Sequence, residues 1–317
     1  GNVELAFVHH TENPDGYSAA EVPAMLRSIF VFHRYTHGWN DIGYNFVIDR
    51  FGRTFEARAG GISEPVIGAH AGGYNAYSTG VAILGTYSAQ RISPAALAAL
   101  ERLLAWKLSL HGAPVEGRVT VRVTPGGAVY SRFPANTPVS LPRVAGHRDA
   151  DSTDCPGDAL YGELSSLRRG ALRLAGRPAR ATLLSQTAES AAGPSTALAG
   201  SLRFLDGTPI VGAPVEIRQR VLSHRGESVT ELVLARAVTG PDGRWSLPVA
   251  IAPSSANETA LRAVSTGGSN LPVAVSDQLL IGGAVSFTVP AAPAPAQAPT
   301  PGQAPAPTAP ESAPPAA

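Results

Sequence analysis

Gly146-His147-Arg148-Asp149-Ala150-Asp151-Ser152-Thr153-Asp154-Cys155-Pro156-Gly157 is the stretch around which the rest of the chain is organised. It holds the only cysteine of 317 residues, a short way after a histidine, in a loop-forming run of Gly, Asp, Ser and Pro. A second cluster lies near the start, Phe7-Val8-His9-His10-Thr11, where an apolar strand ends in two histidines. One thiolate and two imidazoles from distant parts of the chain, His9, His147 and Cys155, suit a zinc ion with an open fourth position. A cysteine and a histidine also suit a nucleophilic thiol with its base. Spacing alone does not choose between these readings.

Working outward, Val3 to Val8 reads as a strand and Ser18-Ala19-Ala20-Glu21 as a capping box opening a helix. Val22, Met25, Leu26, Ile29 and Phe30 continue it at helical spacing, with His33 on or near the same stripe and Gly38 as its stop. Ile42 to Ile48 turns through Asp49-Arg50-Phe51-Gly52-Arg53 into Thr54-Phe55-Glu56, a hairpin pattern. Val81-Ala82-Ile83-Leu84 is apolar throughout, as a central buried strand is. Ser93-Pro94 opens a second helix carrying Leu97, Leu100, Leu103, Leu104 and Leu108. Residues 114–145 alternate around Pro125-Gly126-Gly127 as an inserted hairpin or long loop, and Leu160, Leu164, Leu167 and Leu174 mark a third helix. Residues 1–175 therefore predict an α/β domain, a mixed central sheet flanked by helices.

Composition changes near residue 176. Residues 176–196 are Ala, Ser, Gly, Arg and Pro, which predicts a linker. Residues 197–290 carry short alternating segments, such as Val215, Ile217 and Val221, or Trp245, Leu247 and Val249, separated by turns like Gly240-Pro241-Asp242-Gly243. That pattern predicts a second, all-β sandwich domain. Residues 291–317 are almost all Pro and Ala with Gln, Thr and Ser, which predicts an extended, disordered tail.

Bulk properties narrow the class. The net charge of +1 and a charged fraction of 15% carry no basic run of the kind that nucleic acid or an anionic membrane attracts. No stretch of about 20 apolar residues is present, so no membrane span is expected. A single cysteine allows no internal disulfide, although a thiolate held by zinc would survive outside the cell. The chain opens inside a strand pattern and no signal peptide is visible in it.

Taken together, Phe7-Val8-His9-His10-Thr11, Gly38-Trp39-Asn40-Asp41-Ile42-Gly43-Tyr44-Asn45-Phe46, Gly68-Ala69-His70-Ala71-Gly72-Gly73-Tyr74-Asn75 and the His147 to Cys155 stretch resemble the peptidoglycan recognition protein family. That family is related to N-acetylmuramoyl-L-alanine amidases of the phage T7 lysozyme type. The resemblance covers about residues 3–172 and implies a zinc amidase fold with His9, His147 and Cys155 as Zn²⁺ ligands and His10 pointing elsewhere. It implies that Tyr44 and Thr153 stabilise the developing anion, and that His33, His37, Trp39, Arg58, His70 and Asn75 contact substrate. The Gly38-Trp39 pair and Arg58 resemble members that prefer meso-diaminopimelate stem peptides. A related amidase branch has a glutamate in the central strand, where this chain has Ala82. Members with serine at the cysteine position only bind peptidoglycan, so a non-catalytic receptor is the alternative. The implied setting is secreted or cell-wall, with peptidoglycan or muropeptides as partner and a monomeric state. Segments such as Asp242-Gly243-Arg244-Trp245 resemble bacterial Ig-like or Cna-B surface modules, which implies a spacer or wall-docking role for the second domain.

Overall fold

The computed structural model describes residues 1–190, 193–222, 229–252, 258–268 and 271–287. The strands before residue 150 are β1 (Leu5–His10), β2 (Phe46–Ile48), β3 (Thr54–Glu56), β4 (Ser78–Ile83), β5 (Arg118–Arg122), β6 (Pro138–Pro142) and β7 (Val144–Gly146). Five of them form a mixed sheet in the order β3-β2-β4-β1-β7, in which β1 runs parallel to β4 and β7 and β2 pairs antiparallel with β3. Strands β1 and β4 are buried at every residue, the expected state of central parallel strands covered on both faces. Val81 to Ile83 lie in β4, so the apolar run is the buried strand that its composition predicts.

Three helices flank this sheet: α1 (Val22–Val31), α2 (Pro94–Leu110) and α3 (Asp158–Ala175). Side chains alternate along a strand, so Ala6 and Val8 face α2 and α3, where Leu100, Leu104, Leu108, Leu160 and Leu167 complete a core. Leu5 and Phe7 point to the opposite face, packing on Tyr74 and on Val121, Val139 and Leu141 of the β5–β6 hairpin. The inserted segment therefore covers half of that face, and α1 covers the other half through Val22 and Ile29 against Val47 and Ala82.

Local chemistry sets the ends of these elements. Ser93 Oγ accepts the Ala96 N–H at 3.1 Å, the N-cap its sequence predicts. The first helix differs from expectation. Glu21 Oε2 accepts both the N–H and the hydroxyl of Ser18, closing a separate turn, and α1 begins only at Val22. Pro23 has no N–H to donate back to residue 19, so the helical ladder cannot start at Ser18. The helix then widens into a π turn over Phe32–Thr36 before Gly38, which takes a positive φ of 70°.

The second half contains β8 (Ala179–Ser190), β9 (Gly193–Phe204), β10 (Pro214–Leu222), β11 (Val229–Val238), β12 (Arg244–Ala252), β13 (Glu258–Gly268), β14 (Leu271–Val275), β15 (Leu279–Gly282) and β16 (Ala284–Phe287). They form two antiparallel sheets, β11-β10-β13-β14 with β15 beside β13, and β16-β12-β9-β8. Leu183, Leu198, Ile217, Trp245 and Leu261 meet in a shared core between them. The linker expected over 176–196 is corrected: β8 occupies most of it. Its inward residues, Ala179, Ala181 and Leu183, alternate correctly but are too small for their pattern to stand out from an Ala-rich linker. The Pro/Ala tail of residues 291–317 lies outside the described residues.

Candidate functional site

The period of two along β1 decides the fate of its two terminal histidines. His9 follows Leu5 and Phe7 to the hairpin and α1 face, and His10 turns to the other side. There His10 Nδ1 accepts the Tyr87 N–H at 3.2 Å, and Nε2 lies 3.4 Å from Glu12. His10 thus packs behind the site, as its expected orientation requires.

His9, His147 and Cys155 come together although they are far apart in sequence. Each offers one donor atom, and the three atoms lie within 4.8 Å of one another. His9 Nδ1 is 3.7 Å from Cys155 Sγ. Tetrahedral zinc with these donors places them about 3.3–3.6 Å apart, so the cluster needs only a small contraction to hold the ion. The remaining ring nitrogens support the same assignment. His9 Nε2 lies 3.2 Å from His70 Nδ1, and His147 Nε2 lies 2.9 Å from the buried Asp151 Oδ2. Each contact engages one nitrogen of a ligand imidazole and leaves Nδ1 for a metal, the arrangement by which an outer partner fixes a ligand's tautomer. Asp151 Oδ2 also accepts the Gly72 N–H at 2.6 Å, which anchors the carboxylate.

Electrostatics separate the metal reading from the thiol-nucleophile reading. Burial pushes the Cys155 thiol up to about 12, although the His10 N–H, 3.4 Å from Sγ, works the other way. A nucleophilic cysteine needs a depressed pKa and a cationic neighbour. Burial lowers His9 well below the ordinary histidine range, and His147 and His70 add to that, so His9 offers no imidazolium to the thiol. A divalent cation held by these donors would add positive charge and deprotonate the thiol outright.

A groove of about 470 Å³ runs from this cluster along α1, and His9, His147, Tyr44, His33, His37 and Trp39 are among the residues that line it. The Tyr44 ring lies 5.2 Å from that of His9. Burial, reinforced by the charges of Cys155 and Glu12, raises its phenol above the usual pKa of about 10, so it is a hydrogen-bond donor at neutral pH. His33 Nδ1 accepts the Gly43 N–H at 3.1 Å, which places the ring proton on Nε2, and burial lowers its pKa to about 4. His37 stacks on Trp39 with ring centroids 4.7 Å apart and planes inclined by 19°.

Four other predicted residues have contacts of their own. His70 does line the groove, but its Nδ1 meets His9 and its buried Nε2 has no partner among the described residues. Burial brings its pKa down to about 3, so it is neutral and acts on His9. Asn75 is not a groove residue: its Oδ1 accepts the N–H groups of His70 and Ala71 at 2.8 and 3.0 Å, and its side chain thereby holds the His70 loop. Arg58 is half-buried beside the groove and donates from one terminal nitrogen to Ile42 O at 2.9 Å. Thr153 Oγ1 accepts the Cys155 N–H at 3.2 Å, which leaves its hydroxyl proton to donate elsewhere.

Asp151 and Glu12 were not singled out by the sequence reading. Asp151 stands one turn after His147, a spacing that in retrospect points at its ring. Glu12 lines the groove with a backbone φ of 59°, a conformation seldom adopted by a residue with a β-carbon.

The first half of the chain is similar to known proteins. A family model described as N-acetylmuramoyl-L-alanine amidase matches residues 1–158, the span that contains all three donor residues. Peptidoglycan-recognition protein SC1a/b of Drosophila simulans is 30% identical over 162 residues, which is 51% of this chain and 72% of that protein. The N-acetylmuramoyl-L-alanine amidase of Sus scrofa is 34% identical over 176 residues, 55% of this chain and 25% of that protein. The solved structure of wild-type Drosophila PGRP-LB superposes with a TM-score of 0.38 at 28% identity, covering 52% of this chain and 81% of that chain.

Proposed function

Because this chain belongs to the family of N-acetylmuramoyl-L-alanine amidases and peptidoglycan-recognition proteins, we propose that it is a zinc-dependent amidase. In this reading it hydrolyses the amide between the lactyl group of N-acetylmuramic acid and L-alanine in peptidoglycan. Residues 1–175 carry the activity. The observation that carries the reading is the convergence of His9, His147 and Cys155 donor atoms beside a groove.

Zinc held by those three groups supplies a Lewis acid for the scissile carbonyl and lowers the pKa of water to about 7. The protein's own groups do the remaining work. His70 and Asp151 fix the two ligand imidazoles in one tautomer, so that the donor set is organised before an ion arrives. Tyr44, protonated, donates a hydrogen bond to the oxygen on which charge develops, and the free hydroxyl proton of Thr153 is assigned the same task. The stacked His37 and Trp39, with His33, offer an aromatic wall for the muropeptide. The secreted or cell-wall setting follows from where the substrate is found.

Incubation with muropeptides, with and without 1,10-phenanthroline, tests the whole reading. Free stem peptide should be released only without the chelator. Release that resists the chelator would point to a cysteine hydrolase, and binding without release to a receptor.

Substrate preference gives a second expected result. The single hydrogen bond from Arg58 to Ile42 leaves Nε and the other terminal nitrogen to meet a carboxylate as a fork. The extra carboxylate of meso-diaminopimelate is the proposed partner, so these stem peptides should be cut faster than lysine-type ones. Arg58→Ala should reduce that preference by about tenfold or more, the worth of a charged hydrogen-bonded pair. Equal kcat/KM on the two substrates in the parent protein would refute the assignment.

A further inference from the structure

The segment 57–69 forms part of the groove's frame. It starts beside Arg58 and ends at Ala69, a groove residue, next to His70, which orients His9. Its two ends are tied to the catalytic half by hydrogen bonds: Ala57 N–H to Asn45 O, Asn45 Nδ2 to Val66 O, and Ala69 N–H to Gly43 O. Its middle is held from elsewhere. Lys107 of α2, the only lysine in the chain, is buried and donates from Nζ to Ile62 O at 2.7 Å and Glu64 O at 2.8 Å.

The other grip comes from the β-sandwich. Ser63 Oγ donates to Glu231 Oε1 of β11. Glu64 Oε1 lies 2.6 Å from Arg262 Nε of β13, an ion contact whose side chains are 5% and 13% exposed. Arg218 of β10 joins Glu231 at 2.9 Å and Glu216 at 2.8 Å. Each of the three carboxylates, Glu64, Glu216 and Glu231, thus meets at least one arginine (Arg262, Arg218 or Arg236), as a desolvated network requires. Beside it, Leu110 at the end of α2 packs against Val264 and Val275 of the sandwich, with Trp106 and Val273 at the margin. Domains joined by a wet, polar contact move freely, whereas buried charge pairs next to an apolar patch define one docked position.

We propose that the β-sandwich is a positioning module for the groove: through Glu231 and Arg262 it holds segment 57–69 in place and so sets the affinity with which the groove takes a muropeptide. The affinity part rests on the groove being the muropeptide site, but the coupling between sandwich and segment does not. Removing one partner leaves its mate buried and unpaired, so the contact should open rather than merely weaken.

The test uses the full chain with Arg262→Ala, Arg262→Lys and the milder Glu231→Gln. Hydrogen exchange is followed by mass spectrometry, and binding of a disaccharide-tripeptide muropeptide by calorimetry with 1,10-phenanthroline present, so that the probe survives. In Arg262→Ala, amides in segment 57–69 should exchange at least about tenfold faster while those of β1 and β4 keep their protection. Muropeptide affinity should fall about fivefold or more, with partial recovery in Arg262→Lys and a smaller loss in Glu231→Gln. Unchanged exchange in 57–69, or faster exchange at unchanged affinity, overturns the proposal. If Arg262→Ala unfolds the sandwich, wild-type exchange and affinity in Glu231→Gln overturn it instead. Failure of the parent chain to bind the probe sinks the muropeptide reading and the affinity claim together, and the exchange data still decide the coupling independently.

Discussion

Cys155→Ser is expected to abolish both zinc retention and turnover while leaving the fold intact. The sulfur is the only soft donor in the site, and it lies 3.7 Å from His9 Nδ1. Serine keeps nearly the same shape but offers a neutral hydroxyl in place of a thiolate, because nothing nearby would ionise an alcohol. Changing a residue that only orients a ligand costs about 10–100-fold in metal affinity, so losing a ligand should cost more than that. Zinc measured by mass spectrometry after gel filtration should fall from one equivalent to near zero, and muropeptide cleavage with it. Circular dichroism should stay unchanged, because besides the His9 ring Cys155 Sγ meets only the His10 N–H at 3.4 Å and the His10 carbonyl at 4.0 Å. Binding of uncleaved muropeptide should also persist, since the groove walls are untouched. Full zinc content in this variant would show that some other residue completes the donor set.

How far the site was legible in the sequence depends on the kind of signal each residue gives. His9, His147 and Cys155 could be picked out because their types are chemically distinctive and their local motifs unusual. The opposite orientations of His9 and His10 follow from strand alternation alone. Asp151 and His70 were harder. An aspartate within a run of polar loop residues has many ordinary roles, and only the folded chain shows that its Oδ2 meets His147 Nε2. Asn75 was placed with the substrate contacts, yet its amide oxygen serves two backbone N–H groups four and five residues earlier, a contact that residue type alone does not announce. The centre of the mixed sheet was readable because β1 and β4 carry apolar runs, whereas the three-residue β7 lay at the end of the inserted segment and β8 was lost among alanines. Glu64 and Arg262 form a pair that no periodicity could reveal, since each belongs to a different half of the chain.

Tyr44→Phe should leave zinc in place and still lose most of the rate. The substitution removes one hydroxyl and no ring contact, and the ring packs at the edge of the cluster formed by Ile42, Val47 and Ala82. It takes away no donor to the metal, so the His9, His147 and Cys155 cluster is unaffected. What disappears is a proton held on oxygen by burial, in a groove from which bulk water is partly excluded. A hydrogen bond aimed at developing charge strengthens as the reaction proceeds, so its loss should appear in kcat and only weakly in KM. Removal of one such donor typically lowers kcat by about 10²–10³, and that is the expected range here. The pair of measurements separates two roles for the residue. A raised KM with unchanged kcat would mean that Tyr44 only binds substrate, and loss of zinc would mean that it supports the ligands. A large fall in kcat at constant zinc and similar KM leaves oxyanion stabilisation as its role, and it would place the reacting carbonyl between the Tyr44 hydroxyl and the three-residue donor set.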